Sequence, residues 1–315
     1  MFSGLVKKTN PSIIVLIPCL NEAPSIGKVV RDFQAELPEA QILVIDNNST
    51  DDTAAIARSA GATVLSEKRR GKGYVIQSMF QMVDADIYIM VDGDDTYPAE
   101  KARVLLDPVL NDQADMTIGS RIAGENSLGF KFINLAGNIL FQNLINFIFG
   151  TQLTDILSGF RCMNRRIVKG LPLFQTGFEI EAEITIKSLA RGFRLVEIPI
   201  DLRARQEGSR SKIRVVRDGF RILATIFALF RDYKPLTFFG SLGLVFILVG
   251  IIAGLSIVLG DLPDGTMLPI ALAILTAVTI TIGLLSMAVG LVLHTIDRRF
   301  SEMEYYIRVI TEKTH

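Results

Sequence analysis

The sequence has no tryptophan, two histidines and two cysteines in 315 residues, and its 33 acidic side chains balance its 33 basic ones. Each scarcity removes a class of function. Cys19 and Cys162 cannot supply a disulfide scaffold or a four-ligand zinc site, and they fit core packing in a reducing compartment. His294 ends an apolar run and His315 is the last residue, so neither suits a catalytic cleft. Serine–histidine and cysteine–histidine chemistry are thereby disfavoured, and acid–base or metal work falls to carboxylates. The absence of a basic excess argues against nucleic-acid binding, which needs cations to neutralise phosphates. No G-x-G-x-x-G loop follows the first strand, which argues against a dinucleotide-binding oxidoreductase. The first apolar run, Ile13–Ile17, is too short for a signal peptide and ends at Pro18, so the leading domain is expected in the cytosol.

What is abundant is apolar sequence, at 49% of residues and a mean hydropathy of +0.38, and it is concentrated near the C-terminus. Leu236–Leu259 and Met267–Leu293 contain no charged residue, and each exceeds the ~20 residues needed to cross a bilayer. They are expected to form a transmembrane hairpin. The connection Gly260–Thr266 carries Asp261 and Asp264 but no Lys or Arg, whereas Arg231, Lys234, Arg298 and Arg299 flank the outer ends; the positive-inside rule puts both flanks in the cytoplasm. Ahead of the hairpin, Ile213, Val216, Phe220, Leu223, Phe227 and Phe230 recur at helical spacing beside Arg214, Arg217 and Arg221, the pattern of an amphipathic interfacial helix. Phe130–Phe149 is apolar apart from Lys131 and a line of amides, Asn134, Asn138, Gln142 and Asn146, which suits either a helix partly sunk in lipid or core packing. The expected divisions are a catalytic domain over 1–212, a juxtamembrane helix over 213–233, the hairpin over 234–294 and a cytoplasmic tail over 295–315. In that tail Met303, Tyr306, Val309 and Ile310, at helical spacing, offer a surface for a second protomer.

The first 120 residues alternate β-branched runs with helical stretches. Ile13–Ile17, Ile42–Ile45, Ala62–Leu65, Ile87–Val91 and Met116–Ile118 read as buried strands. Ser25–Glu36, Asp51–Ala60, Gly73–Met82 and Pro98–Leu110 read as helices, with Asp51 and Pro98 as start signals. This βαβ succession predicts an α/β fold with a mostly parallel sheet and ligands at the carboxyl ends of its strands.

Asp92-Gly93-Asp94 follows the fourth strand directly, so both carboxylates are expected at that edge. Two hard oxygen ligands suit Mg²⁺ or Mn²⁺ on a diphosphate; a strand-ending acidic turn is the plainer reading of the same residues. Pro18-Cys19-Leu20-Asn21-Glu22 and the stretch from Asp46 to Thr53 end the first two strands on the same edge. The acids Glu179, Glu181 and Glu183 read as helix-start residues, with Glu183 pairing Lys187 at i+4.

In their order, these motifs, together with Arg70-Gly71-Lys72-Gly73, Gly119-Ser120-Arg121, the segment Asp155–Arg161 and the basic stretch Gly208–Lys212, resemble the dolichyl-phosphate mannose synthases and bacterial polyisoprenyl-phosphate glycosyltransferases, which share the glycosyltransferase-A fold. The resemblance covers Ile13 to about Lys212 and continues into the two spans of the bacterial members. It implies that Pro18, Leu20, Glu22, Asp46 and Asn48 hold the nucleoside of a nucleotide-sugar donor, with Lys72 nearby. Asp92 and Asp94 would hold Mg²⁺ or Mn²⁺ on the diphosphate, although the glutamine that adds a ligand in archaeal relatives is replaced by Thr96. Asp155 would face the acceptor, while Arg121 and Lys131 would clamp the phosphate of a polyprenyl-phosphate lipid. Glu179, Glu181 and Glu183 lie near where several wider relatives carry a catalytic base, the alternative to their helix-start reading. From Arg203 to Arg217 there are six basic residues and one acidic, and Arg205, Arg210 and Lys212 would contact diphosphate or headgroups. The implied reaction is an inverting hexosyl transfer in a bacterial inner membrane, with UDP-glucose the first choice of donor and GDP-mannose the second. A processive polysaccharide synthase usually carries more spans and an acceptor-channel motif, which is not found here; a catalytically silent scaffold that keeps a nucleotide fold is the alternative from another class.

Overall fold

The computed structural model describes residues 11–121, 142–203, 215–260 and 267–313. Among them seven strands form one sheet: β1 (Ile13–Cys19), β2 (Gln41–Asp46), β3 (Thr63–Ser66), β4 (Ile87–Met90), β5 (Met116–Ser120), β6 (Arg161–Asn164) and β7 (Leu195–Pro199), in the spatial order β3-β2-β1-β4-β6-β5-β7. The expected strands are all present. Two more, β6 and β7, join the sheet, and β6 runs antiparallel to both β4 and β5 while the other pairings are parallel.

β1 lies between β2 and β4 and is buried on both faces, which explains its unbroken apolar run. Val15 and Ile17 face a layer containing α1 (Ala23–Glu36), α2 (Thr53–Ser59) and α4 (Ala102–Leu110), where Phe33, Ala57 and Leu105 are buried. Ile14 and Leu16 face the opposite layer, with Ile76 and Met79 of α3 (Lys72–Met82), Ile167 of α6 (Arg165–Gly170) and Ile184 of α7 (Ile180–Ala190). Strand alternation thus divides one sheet between two cores. Truncating a fully buried residue such as Ile17 or Phe33 to alanine should cost about 2–5 kcal/mol.

Asp51 is not the cap of α2; Asp52 occupies that position without a capping bond, and Asp51 Oδ1 accepts from the Thr53 amide at 3.1 Å. Pro98 precedes a 3₁₀ turn, Ala99–Lys101, that leads into α4. Of the apolar stretch 130–149, residues 142–149 form a helix, α5, with Ile145 buried and Phe147 exposed. Asn146 of the amide line caps the loop that follows: its amide donates to the Leu153 carbonyl at 2.8 Å and its oxygen accepts from the Thr151 hydroxyl and the Leu153 amide.

The chain divides into compact units 1–226 and 227–315, with the boundary inside α8 (Val215–Tyr233). In the second unit, α9 (Pro235–Leu259) and the first part of α10 (Leu268–Lys313) are long and apolar enough to cross a membrane. They pack through small residues. A Cβ on Gly243 would lie 2.6 Å from the Gly283 carbonyl oxygen, and one on Gly250 2.7 Å from the Thr279 hydroxyl. Such seams let helix backbones approach closely where lipid removes the usual hydrophobic drive. Leu244, Ile252 and Leu285 point outward, exposed. The expected tail over 295–315 is not a separate element: α10 continues to Lys313.

Candidate active site

The carboxyl ends of the parallel strands gather the expected residues on one edge. Reversal of β6 brings its first residue to the same edge, where Arg161 pairs with Met90 and Ile118, so the turn that precedes it arrives beside Asp92.

The first two strand ends are laced together. Asn21 and Asn48 both take positive φ, +50° and +60°, a conformation asparagine tolerates. The Asn21 amide donates to the Ser49 hydroxyl at 2.9 Å, and the Thr50 amide donates to Asn21 Oδ1 at 2.8 Å. Glu22 is buried, with its amide donating to the Thr53 hydroxyl at 2.8 Å, and Pro18 and Leu20 are half-buried beside it. Asp46 Oδ2 accepts from the Ser49 amide at 3.2 Å, whereas its Oδ1 is buried without a hydrogen-bond partner.

Lys72 departs from a simple nucleoside contact. Its ammonium lies 2.6 Å from Asp92 Oδ1 and 2.6 Å from Glu181 Oε1. Burial opposes the charge, but the two carboxylates outweigh it and push the lysine above its ordinary value. Asp94 is buried, and its Oδ1 accepts from the Thr96 amide at 3.2 Å and the Thr96 hydroxyl at 2.6 Å. Thr96 thus braces Asp94. The loop is pinned from outside by Lys28, 2.9 Å from Asp95 Oδ1, and by Arg203, 3.3 Å from the same oxygen, while the Arg203 amide donates to the Thr96 carbonyl at 2.8 Å.

Arg121 and Asp155 meet directly. The guanidinium donates from Nε to Oδ2 at 2.6 Å and from Nη2 to Oδ1 at 2.8 Å, and the Arg121 amide adds a bond to Oδ2 at 3.1 Å. Asp155 is fully buried, so its carboxylate is turned onto Arg121. Burial pulls Arg121 down, but Tyr97 and Asp155 hold it above the ordinary arginine value. Glu197 of β7 fixes the backbone here, accepting from the Asp155 amide at 2.7 Å and the Thr154 amide at 2.7 Å.

Beneath this loop lies Arg161, fully buried, donating to the carbonyls of Ser158 at 2.8 Å and Ile156 at 2.7 Å and to the Thr185 hydroxyl at 2.8 Å. Burial pulls its guanidinium down to about 10, against the opposing charges of Glu181 and Asp155. The Gly159 amide donates to the Tyr97 hydroxyl at 2.9 Å, and a Cβ on Gly159 would lie 2.6 Å from Asp92 Oδ2. The Asp155–Arg161 turn therefore packs against Asp92.

The structure brings together Asp46, Lys72, Asp92, Asp94, Arg121 and Asp155 at one edge and leaves Asn48 exposed at its margin. Lys131, Arg205, Arg210 and Lys212 lie outside the described residues. For Glu181 the helix-start reading favoured in the sequence leaves out its partner, Lys72. Glu183 does pair Lys187, at 2.7 Å, but Glu181 belongs to the Asp92 network. Among the described residues, no group of three or more His, Cys, Asp and Glu side chains could hold a metal.

Residues 14–171 match the family described as Glycosyl transferase family 2. Glycosyltransferase AglJ of Haloferax volcanii is 34% identical over 236 residues, 75% of this chain and 77% of that protein. The dolichyl-phosphate hexose transferase of the same organism is 30% identical over 202 residues, 64% of this chain and 87% of the relative. Among solved structures, glucosyl-3-phosphoglycerate synthase from Mycobacterium tuberculosis in complex with Mn²⁺, uridine diphosphate and phosphoglyceric acid superimposes with a TM-score of 0.59 at 21% identity, covering 71% of this chain and 80% of that one. The chain belongs to glycosyl transferase family 2 and has the glycosyltransferase-A fold; it is a glycosyltransferase.

Proposed function

We propose that this enzyme transfers a hexose, with inversion, from a nucleotide-diphosphate sugar to a polyisoprenyl phosphate at the cytoplasmic face of a membrane that it crosses twice, and that UDP-glucose is the donor to test first. The observation that carries the reading is the pairing of half-buried Arg121 with fully buried Asp155 on the edge that also holds Asp92 and Asp94. It supplies an oriented guanidinium for a phosphate acceptor beside two acids suited to a cation on the donor. A relative named as a dolichyl-phosphate hexose transferase, aligned over most of its length, and two helices long enough to span a bilayer support a lipid acceptor.

In this reading Asp46 Oδ1, buried and unpartnered, accepts an N–H of the nucleobase, and Pro18, Leu20, Glu22 and Asn48 line the nucleoside. Asp92 and Asp94 would hold Mg²⁺ or Mn²⁺. Two carboxylates fit such an ion, because Mg²⁺ is usually held by one or two carboxylates, water and substrate phosphates rather than by an all-protein cage. When bound, the ion would neutralise charge on the leaving diphosphate. Lys72 adds a fixed positive charge beside Asp92. Asp155 orients Arg121 toward the acceptor phosphate, which Lys131 also contacts in this reading, while Arg205, Arg210 and Lys212 serve diphosphate or headgroups. A phosphate oxygen of the lipid forms the new bond to the anomeric carbon as the bond to the diphosphate oxygen breaks, its electron pair leaving with the nucleoside diphosphate. The second pKa of a phosphate monoester is about 6, so the nucleophile is mostly dianionic near neutral pH and needs no strong base.

The test is transfer of labelled sugar from UDP-glucose to undecaprenyl phosphate with Mg²⁺, with GDP-mannose in parallel. Label is expected in the organic phase, and Asp94→Asn should lower it by orders of magnitude without unfolding the protein. Label confined to water-soluble product would defeat the lipid acceptor, and an absence of sugar-nucleotide turnover across a donor panel would favour a silent scaffold.

A further inference from the structure

Lys72 opens α3 and Glu181 lies in the first turn of α7, and glycines at the start of α3 let it approach the segment that leads into α7. A Cβ on Gly73 would sit 2.1 Å from the Gln175 carbonyl oxygen, and one on Gly71 2.2 Å from that of Thr176. The Gly73 amide donates to the Thr176 carbonyl at 3.1 Å. This approach lets one ammonium bridge Asp92 and Glu181, carboxylates from two different elements. Glu181 is 2% exposed, and its Oε2 is buried without a hydrogen-bond partner. Keeping a buried carboxylate only half satisfied is costly for an ion pair that merely joins two helices. Its negative charge, directed at Lys72, is what the arrangement preserves.

We propose that Glu181 is a positioning residue for donor loading: it retains the Lys72 ammonium while Asp92 exchanges that lysine for a divalent cation. The inference rests on the metal-dependent reading above. Within the group Asp92, Asp94, Glu181 and Lys72 there are three negative charges and one positive, a net of −2 that attracts a cation, while buried Arg161 faces Glu181 from behind as a further positive charge. Without Glu181 the net falls to −1, and Lys72 leans on Asp92 alone and competes with the incoming ion. With Glu181 in place, Asp92 can turn to the ion, and the lysine stays as a second cation toward the diphosphate.

The experiment measures Mn²⁺ binding to the full chain in detergent by electron paramagnetic resonance, with Mn²⁺ alone and with added UDP. Glu181→Gln is expected to weaken Mn²⁺ binding by roughly 10–100-fold, the usual effect of losing a group that orients a metal ligand. Adding Lys72→Met to that variant restores the net of −2 and should recover most of the affinity for Mn²⁺ alone. This double variant replaces a buried ion pair by neutral groups, a change that folded proteins commonly tolerate, so it also serves if the single variant is poorly folded. Equal Mn²⁺ affinity in wild type and Glu181→Gln would overturn the inference alone, as would a well-folded double variant as weak as the single. Failure of the wild type to hold Mn²⁺ even with UDP would overturn the metal-dependent reading and this inference with it.

Discussion

Replacing Arg121 by methionine isolates the charge that faces Asp155. Four donors converge on that carboxylate: Arg121 Nε at 2.6 Å, Nη2 at 2.8 Å, the Arg121 amide at 3.1 Å and the Leu157 amide at 3.3 Å. Methionine keeps much of the arginine stem but removes the two charge-assisted bonds and leaves a fully buried anion without its counter-ion. Breaking a buried pair in this way costs about 3–5 kcal/mol. For a folded unit of this size each kcal/mol lowers the unfolding temperature by about 2–4 °C, so a fall of roughly 6–20 °C is expected. Asp155→Asn should cost less, about 1.5–3 kcal/mol, because an amide oxygen still serves the backbone donors and the partly exposed guanidinium can reach solvent. Both native cysteines are buried, so their reaction with a fluorogenic thiol reagent on heating reports unfolding of the full chain in detergent. Arg121→Met unfolding within about 2 °C of wild type, or later than Asp155→Asn, would refute the claim that charge holds this carboxylate.

Gly73→Ala should destabilise by about 1–3 kcal/mol and lower transfer, since the added methyl meets backbone at 2.1 Å and pushes Lys72 away from Asp92; unchanged activity and melting would show that the helix starts can separate. The Arg69 side chain and Ser78 hold the Glu67 carboxyl down to about 2, below its ordinary 4.5. Because the folded value is the lower one, this stabilisation is complete above about pH 4.5 and disappears as pH falls toward about 2, so Glu67→Gln should flatten that part of a melting-temperature-against-pH curve. A cysteine placed at Gly265 should react with an impermeant thiol reagent from outside the cell, whereas cysteines near Arg210 and Glu302 should not; the opposite pattern would reverse the orientation drawn from the charge asymmetry.

β1, β2 and β4 were legible because they are buried on both faces and read as nearly unbroken apolar runs that lead into the polar residues lining the edge, whereas β3, largely exposed at the end of the sheet, was read from its β-branched residues and its place in the βαβ succession. The strand β6 was not. Its sequence, Arg161-Cys162-Met163-Asn164, begins with a cation that the fold buries completely by giving it carbonyls and a hydroxyl, an arrangement that no local pattern announces. β7 carries Glu197 at its centre, a residue placed there to hold the Asp155 backbone rather than to fit a strand pattern. Glu183 and Lys187 are visible as a pair because four residues of helix separate them, whereas Lys72 and Glu181 meet only through the tertiary approach of two helix starts. α7 hides its role further: every residue from Ile180 to Ser188 is buried, so it has no polar face by which its acids could be sorted into solvent and site.

The reversed direction of β6 has a consequence for what a change of chain length would disturb. Because β5 leaves the sheet and β6 enters it at one edge, whatever chain lies between them departs from and returns to the same place. Both feet of that excursion are bolted down: Gly119 donates to the Phe160 carbonyl at 2.9 Å, the Ser120 and Thr154 hydroxyls lie 2.7 Å apart, and Arg121 grips Asp155. An excursion anchored this way can be lengthened, shortened or exchanged without shifting the register of a single strand.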